Sequence, residues 1–588
     1  MAVYTVALAA LIALTVTPAA AQAATKPSNG AIAFSGKRAG SLAIYTRESN
    51  GAGLRVIPTA GRSSYPVFSP RGRRVAMTRY GSFGAQVWLQ YTDGTGQRPL
   101  TSGPADTMPS WSPDATTIAF ARGPKGRRDL YRISADGTGQ VRLTLSARDD
   151  EAPDWSVRNQ VAFVRRNAKS SDIYSVGPAG GTPRRLTRSP QDDLAPAWSP
   201  TGRTLVYSKG RAGRRDLYTL TADGRRARRL TAVKGDEGEP TFSPDGTRVA
   251  FTHTYRRKRR VFVAKVRGRP LRSLPARSRR VRRLTASGSA PSSPSWQPAN
   301  LDPVIAAGGD IACDPASPFF SAGVGVPGKC RQKLTSDQLL RMDLSSVLVV
   351  GDSQYENGTG DAYRQSFDPS WGRVKSLIRP VPGNHEYDTP QAAGYFDYFN
   401  GPGLRTGQAG DRAQGGYYSY DIGSWHVVGL NSECANIPGG CGPDSTQVQW
   451  LRADLAAHPT RCTLAYFHGP RFTSGRYGDE SEDVKPFWDA LYAAGADVVV
   501  SGHEHFYERF APQTPDGASD PARGLRQFTV GVGGKGAHPF VSQAPNSEAR
   551  DNRVLGVAAF TLGEGRYDWR LVRAPNGATT DSGSGVCH

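Results

Sequence analysis

The first 300 residues contain no cysteine, and none of the six cysteines beyond them stands in a Cys-x-x-Cys pair. That excludes a thiolate-based metal or redox centre built on the motif. No apolar run after residue 24 reaches spanning length, so no transmembrane span is expected in the mature chain. Residues 251–300 hold 14 basic side chains and no acidic one. The imbalance extends further: residues 1–300 carry 50 Lys and Arg against 19 Asp and Glu, and residues 301–588 carry 24 against 32. Two modules of opposite charge are expected, the first of them suited to a polyanion.

With 588 residues the chain is long enough for two or three full hydrophobic cores. Residues 2–24 form an apolar run broken by Thr15, Thr17 and Pro18 and ending in Ala21-Gln22-Ala23, the small-residue pattern of a signal-peptidase site. A cleaved signal peptide over 1–24 and a secreted or cell-surface protein are expected. Six cysteines fit that oxidising context. Cys313 and Cys330 flank one Gly/Pro-rich loop and Cys434 and Cys441 another, so both pairs read as loop staples, with Cys462–Cys587 tying down the C-terminus. Connectivity stays open at this level, and buried free thiols are the alternative.

An aromatic followed by Ser, Ser-Pro or Gln-Pro recurs at Phe68, Trp111, Trp155, Trp198, Phe242 and Trp296. Apolar triplets such as Ile118-Ala119-Phe120 and Val161-Ala162-Phe163 follow the first five, then an Asp-Leu-Tyr-like strand, a turn and Leu-Thr. A period in the low forties built of short strands reads as propeller blades, none of which buries both faces alone. Ile32-Ala33-Phe34 lacks the preceding aromatic and Trp296 lacks the following triplet. Joining them completes one blade from both ends, giving six blades and no free edge. This half resembles the TolB-like, WD40-related propellers over 29–298, mostly binding scaffolds. The runs Arg256-Arg257-Lys258-Arg259-Arg260 and Arg279-Arg280-Val281-Arg282-Arg283 are expected first as a solvated strand face or loop, and second as a patch for a phosphate-rich or other anionic polymer such as a cell-wall component. Without interleaved aromatics or a nucleic-acid motif, no sequence-specific nucleic-acid reader is expected.

The last half carries Gly309-Asp310-Ile311-Ala312, Gly351-Asp352-Ser353-Gln354-Tyr355, Gly383-Asn384-His385-Glu386, Phe467-His468 and Gly502-His503-Glu504-His505. Each offers hard oxygen or imidazole donors. Each follows an apolar strand-like run, with helices expected at 447–457 and 484–493, so the donors are expected along one crest at the carboxyl ends of strands in an α/β fold. These motifs resemble the calcineurin-like metallophosphoesterases, and within them the purple acid phosphatases, over about residues 302–575. Many relatives have Asp-x-His in the first motif; here the third position is Ala312, and Tyr355 replaces the missing donor.

A multidomain chain is expected, divided as 1–24 signal peptide, 25–299 six-bladed all-β propeller and, as the second resemblance implies, 300–588 α/β metallophosphoesterase sandwich of two β-sheets flanked by helices. That resemblance implies a first metal on Asp310, Asp352, Tyr355 and His505, and a second on Asp352, Asn384, His468 and His503. Fe(III) would occupy the first site, and Fe(II), Zn(II) or Mn(II) the second. A metal-held hydroxide would attack phosphorus in line, with His385 protonating the leaving oxygen. Glu386, Tyr507 and Arg509 are candidates for the substrate pocket, with sheet-end packing the equal alternative for Tyr507 and Arg509, and Glu386 and Tyr387 also read as supports behind the ligands. His253, His426, His458, His538 and His588 have no such context. Monoester hydrolysis is the leading expectation; a phosphodiesterase or nucleotidase on the same metals is the runner-up, and a binding protein with a vestigial site the third reading.

Overall fold

The computed structural model describes residues 28–588 except 39–40, 276–277, 279, 286–290, 300 and 479–481; the expected signal peptide lies outside the described residues. Six four-stranded sheets follow one another from Ser28 to Ala299. Five are built from consecutive strands, and the remaining one joins Ser292–Ala299 to Ser28–Arg38, Ser41–Glu48 and Arg55–Ile57. Ile32 lies opposite Trp296 in that pairing. The ring is a six-bladed propeller closed by its two ends.

The repeat has identifiable physical causes. One apolar cluster fills each of the six blade-to-blade interfaces, as where Ala119, Ala121 and Leu130 of the third blade meet Val161, Phe163 and Val176 of the fourth. The triplets supply these contacts, so a blade is stable only when stacked. Three residues before every repeated aromatic the backbone turns left-handed, at Tyr65, Met108, Ala152, Ala195, Glu239 and Ser293, where φ lies between 49° and 57°. Each marks a bulge that shifts the ladder register by one residue. The repeated Leu-Thr pair completes the ladder. Thr144, Thr187, Thr231 and Thr285 accept a hydrogen bond through Oγ1 from Leu130, Ile173, Leu217 and Val261 N–H. That satisfies the third strand where the short fourth strand ends.

Beyond residue 300 two sheets pack face to face. One orders Ile378–Val381, Ser346–Val350, Val304–Gly308, Gly556–Gly563, Arg566–Arg573 and Thr579–Val586. The other orders Tyr418–Ile422, Trp425–Gly429, Cys462–Tyr466, Val498–Ser501, Arg526–Val530, Tyr507–Phe510 and Ser547–Asp551. A central core joins Ile305, Leu348 and Phe560 to Val427, Leu464, Val498 and Phe528 between them. Helices such as Gln332–Arg341, Thr446–Ala457 and Lys485–Ala493 accompany further cores. Burial on both faces explains why the parallel strands read as unbroken apolar runs.

The six cysteines form three disulfides, Cys313–Cys330, Cys434–Cys441 and Cys462–Cys587. The third links a strand of one sheet to the end of the other sheet's edge strand. The halves touch through propeller turns that follow the first and third strands of the blades. Arg74 donates to the carbonyls of Leu340 and Ala115, each at 2.8 Å, and Arg341 Nε donates to Asp136 Oδ2 at 2.7 Å. Asp343 accepts from Arg71 N at 3.1 Å. Among the described residues no helix is long and apolar enough to cross a membrane.

Candidate metal centre

The donors come from both sheets, not from one crest. Asp310, Asp352 and Asn384 follow Val304–Gly308, Ser346–Val350 and Ile378–Val381 of the first sheet; His468 and His503 follow Cys462–Tyr466 and Val498–Ser501 of the second. All five strands are parallel to a neighbour and end at the common edge of the sandwich. Asp310, Asp352 and His503 adopt positive φ (58°, 45° and 68°), which turns each side chain sharply off its strand. Non-glycine residues in this region carry a cost of about 1–2 kcal/mol each. Glycine is required beside them: a Cβ at Gly351 would lie 2.3 Å from His468 Nδ1, and one at Gly383 2.4 Å from Asp352 Oδ1.

The seven donors converge. Tyr355 Oη lies 2.8 Å from Asp310 Oδ1, 2.6 Å from Asp352 Oδ2 and 3.0 Å from His505 Nε2. Asn384 Oδ1 lies 3.2 Å from both His468 Nε2 and His503 Nδ1. Asp352 connects the two groups, with Oδ1 3.5 Å from His468 Nε2. His468 is fixed by Nδ1 bonding to the Val350 carbonyl at 2.9 Å, which leaves Nε2 facing the cluster. Ala312 carries no donor; its carbonyl accepts from Tyr355 N at 2.8 Å, so the first motif also anchors the tyrosine.

Electrostatics follow from burial and crowding. Burial alone would raise Asp310 and Asp352, but the neighbouring histidines hold both below the usual carboxylate range. Burial opposes protonation of His468, yet Asp352 and Asp310 hold it well above an ordinary imidazole. Burial, then the adjacent His468, takes His503 down to about 4. Burial and the two carboxylates push the Tyr355 phenol up, so only a cation of high charge among these oxygens would favour its phenolate. An all-oxygen and imidazole donor set with two carboxylates and a phenol fits hard multivalent cations.

His385 sits at the rim, its side chain 27% exposed. Nδ1 bonds to the Glu356 carbonyl at 2.5 Å, and Nε2 lies 3.9 Å from Asp352 Oδ2, facing the donors. The pocket expectation for Glu386, Tyr507 and Arg509 is corrected by their surroundings. Glu386 is fully buried behind the donors: Oε1 accepts from Ser353 N at 3.0 Å and Gln354 N at 3.2 Å, and Oε2 from Gly383 N at 2.7 Å. It ties two donor loops together. Tyr507 donates to Asp581 Oδ2 at 2.7 Å and Arg509 Nε to the same oxygen at 2.9 Å, with Arg509 stacked over Trp569. Both belong to the packing of one sheet on the other. Tyr387 supports Asn431, whose amide donates to its hydroxyl at 2.8 Å.

Several rim residues were not legible as site residues. His538 stacks on His505 with ring centroids 3.7 Å apart, and its Nδ1 accepts from His505 N at 3.2 Å. Lys535 Nζ lies 4.2 Å above the Tyr355 ring and pairs with Glu356. The Tyr477 ring lies 5.1 Å from that of His538. Glu504 is buried and accepts from Tyr477 N at 2.6 Å. Only the Gly-rich segment 531–536, which follows a strand leading back to the site, hints at a close backbone approach there.

Residues 3–159 match the family model described as TolB beta propeller domain, and residues 336–507 that described as Calcineurin-like phosphoesterase. Purple acid phosphatase 21 of Arabidopsis thaliana is 29% identical over 213 residues, covering 34% of this chain and 46% of its own length. Purple acid phosphatase 23 of the same plant is 31% identical over 255 residues, covering 37% and 53%. The chain therefore spans about half the length of the curated relatives it matches. Among solved structures, TolB from Acinetobacter baumannii aligns with a TM-score of 0.40 at 19% identity, over 46% of this chain and 67% of that one. The chain is thus similar to TolB propellers over its first part and to calcineurin-like phosphoesterases, purple acid phosphatases among them, over its second.

Proposed function

We propose that the protein is an exported dinuclear-metal phosphoesterase that hydrolyses phosphate monoesters, held by its basic propeller near an anionic polymer. One observation carries the catalytic part: the distances divide seven donors into two groups that share Asp352. Asp310, Asp352, Tyr355 and His505 would hold one cation; Asp352, Asn384, His468 and His503 would hold the other. The phenol among two carboxylates favours Fe(III) in the first position, with Fe(II), Zn(II) or Mn(II) in the second. Two cations so held would lower the pKa of the attacking water and offset charge on the phosphate oxygens.

The remaining steps belong to the chain's own groups. His385 keeps its Nδ1 proton on the Glu356 carbonyl, with Asp388 Oδ2 also 3.2 Å from Nδ1. Its Nε2 proton is then the one placed to reach a leaving oxygen. Lys535, His538 and His385 bring positive or protonatable groups to one rim, which suits the dianionic end of a monoester. Three disulfides support an oxidising compartment.

Nitrophenyl phosphate and its bis ester, assayed side by side on metal-loaded full-length protein, test the reading. Faster turnover of the monoester is expected; no turnover of either, or a faster diester, would overturn it. Tyr355→Phe tests the first cation: the visible phenolate-to-metal absorption should vanish, and its persistence would reject Tyr355 as a ligand.

A further inference from the structure

The strands of a blade are antiparallel, so its turns alternate between the two ends of the propeller. The ends differ in use. The turns after the first and third strands carry Arg71, Arg74, Asp114 and Asp136, and the phosphoesterase domain packs there. The turns after the second strands lie at the other end. Their tips are basic: Lys125 and Arg127 in the third blade, Lys169 in the fourth, Arg211 and Arg214 in the fifth, Arg256 and Arg257 in the sixth.

Between the fifth and sixth tips lies a groove of about 1020 Å³. Arg211, Arg214, Arg256, Arg257, Lys234 and Lys209 line it, with Arg229, Asp216 and Asp236. Arg229 is neutralised by Asp216 at 2.5 Å and Lys209 by Asp193 at 3.3 Å. Among the described residues the fold gives the other five cations no carboxylate partner, and Arg211, Arg214, Lys234, Arg256 and Arg257 are all exposed. Tyr255, 41% exposed, supports the Arg256 guanidinium 5.4 Å from its ring.

The sixth-blade tip adds an independent sign. Tyr255 pairs with Lys258 across a two-residue turn in which Arg256 and Arg257 have φ of 50° and 61°. Two positive φ values mark a type I′ hairpin, for which Asn-Gly is the favoured sequence. Arginine gains nothing from this geometry, and neither side chain packs into the core. The strained pair presents two adjacent guanidiniums to the groove.

We infer that this groove is a docking site for a polymer bearing closely spaced phosphate groups, bound by the guanidiniums of the two tips. The inference deepens the targeting role proposed above and rests on it. It also narrows the sequence expectation: of the two Arg-rich runs, 256–257 serves this groove. Residues 280–283 of the other run lie on and beside the outer strand Val281–Arg283, where Arg280 donates to the Arg269 carbonyl and Arg282 to that of Asn50.

The test uses full-length protein and inorganic polyphosphate, with Kd, melting temperature and monoester turnover read on the same samples. Arg256→Asn with Arg257→Gly installs the favoured turn, so it should melt at or above the wild-type temperature while weakening polyphosphate binding about tenfold or more. Arg211→Ala with Arg214→Ala should weaken binding similarly. Arg280→Ala with Arg282→Ala, an equal loss of charge, should leave it within about twofold if binding is local rather than a net-charge effect. Absence of polyphosphate binding, undiminished binding in the Asn-Gly variant, an equal loss in the 280/282 variant, or equally tight binding of polyglutamate would overturn the inference. Monoester turnover should be unchanged throughout; absence of turnover in the wild type would count against the catalytic reading and not against the groove.

Discussion

Replacing Glu386 should separate scaffold from chemistry at the donor cluster. Its carboxylate accepts three backbone N–H groups in a fully buried setting, two on the loop carrying Asp352 and Tyr355 and one on the loop carrying Asn384. Glu386→Ala would strand all three donors at about 1–3 kcal/mol each, an upper bracket of about 3–9 kcal/mol that entering water brings toward its lower end. The hydroxyls of Ser353 and Tyr363, which also touch the carboxylate, already lie 2.5 Å apart and can satisfy each other. Glu386→Gln keeps Oε1 on Ser353 and Gln354 but turns an amide N–H toward Gly383 N–H, a loss of about 1–3 kcal/mol. At roughly 2 °C per kcal/mol for a domain of this size, calorimetry should show the phosphoesterase transition falling by about 2–6 °C for Gln and 6 °C or more for Ala. Metal affinity and monoester turnover should fall about 10–100-fold in the Ala variant, because two donor loops are no longer tied together. An Ala variant that melts within about 2 °C of wild type and keeps turnover within twofold would refute the argument.

Removing the Cys462–Cys587 bridge, which closes a loop of 125 residues, should cost about 5 kcal/mol in a guanidinium titration if chain entropy dominates. A loss below about 1 kcal/mol would show that the sheets hold each other without it. Burial raises Asp154 to about 7, although Trp198 N donates to its carboxylate. Its folded pKa exceeds the unfolded value near 4, so the stability it contributes is complete below pH 4 and is lost as pH rises through about 7. The propeller transition should follow that slope, and Asp154→Asn should flatten it; a slope unchanged in the variant would refute the assignment. His385→Ala should lower kcat by about 10²-fold or more on alkyl phosphates and less on nitrophenyl phosphate, whose leaving group needs no proton. Equal losses on both substrates would reject the acid role.

Local pattern made most of this molecule readable. The blade count follows from the repeat, because every blade interface needs the same apolar triplet and the orphan triplet and orphan aromatic had to meet. The candidate donors were equally readable, because each stands two to five residues after a buried strand, most of them past a glycine that permits the turn. The rim was not. His538 and Lys535 lie in a loop more than 25 residues past the last donor motif, and only the return of Arg526–Val530 beside Val498–Ser501 brings that loop over His505 and Tyr355.

Tyr507 and Arg509 show the converse. Two and four residues past His505, they allowed a pocket role or sheet-end packing, and the opposing sheet favours the second by supplying Asp581 and Trp569 as partners. The sequence by itself marked the modules, the blade number and the seven side chains that meet between the sheets, because those depend on short-range periodicity and on residue chemistry. Tertiary structure alone decided that two sheets share the site, that Glu386 supports it from behind, and that the propeller leaves one basic end free. Each depends on which surfaces face each other after folding, and no local spacing encodes that.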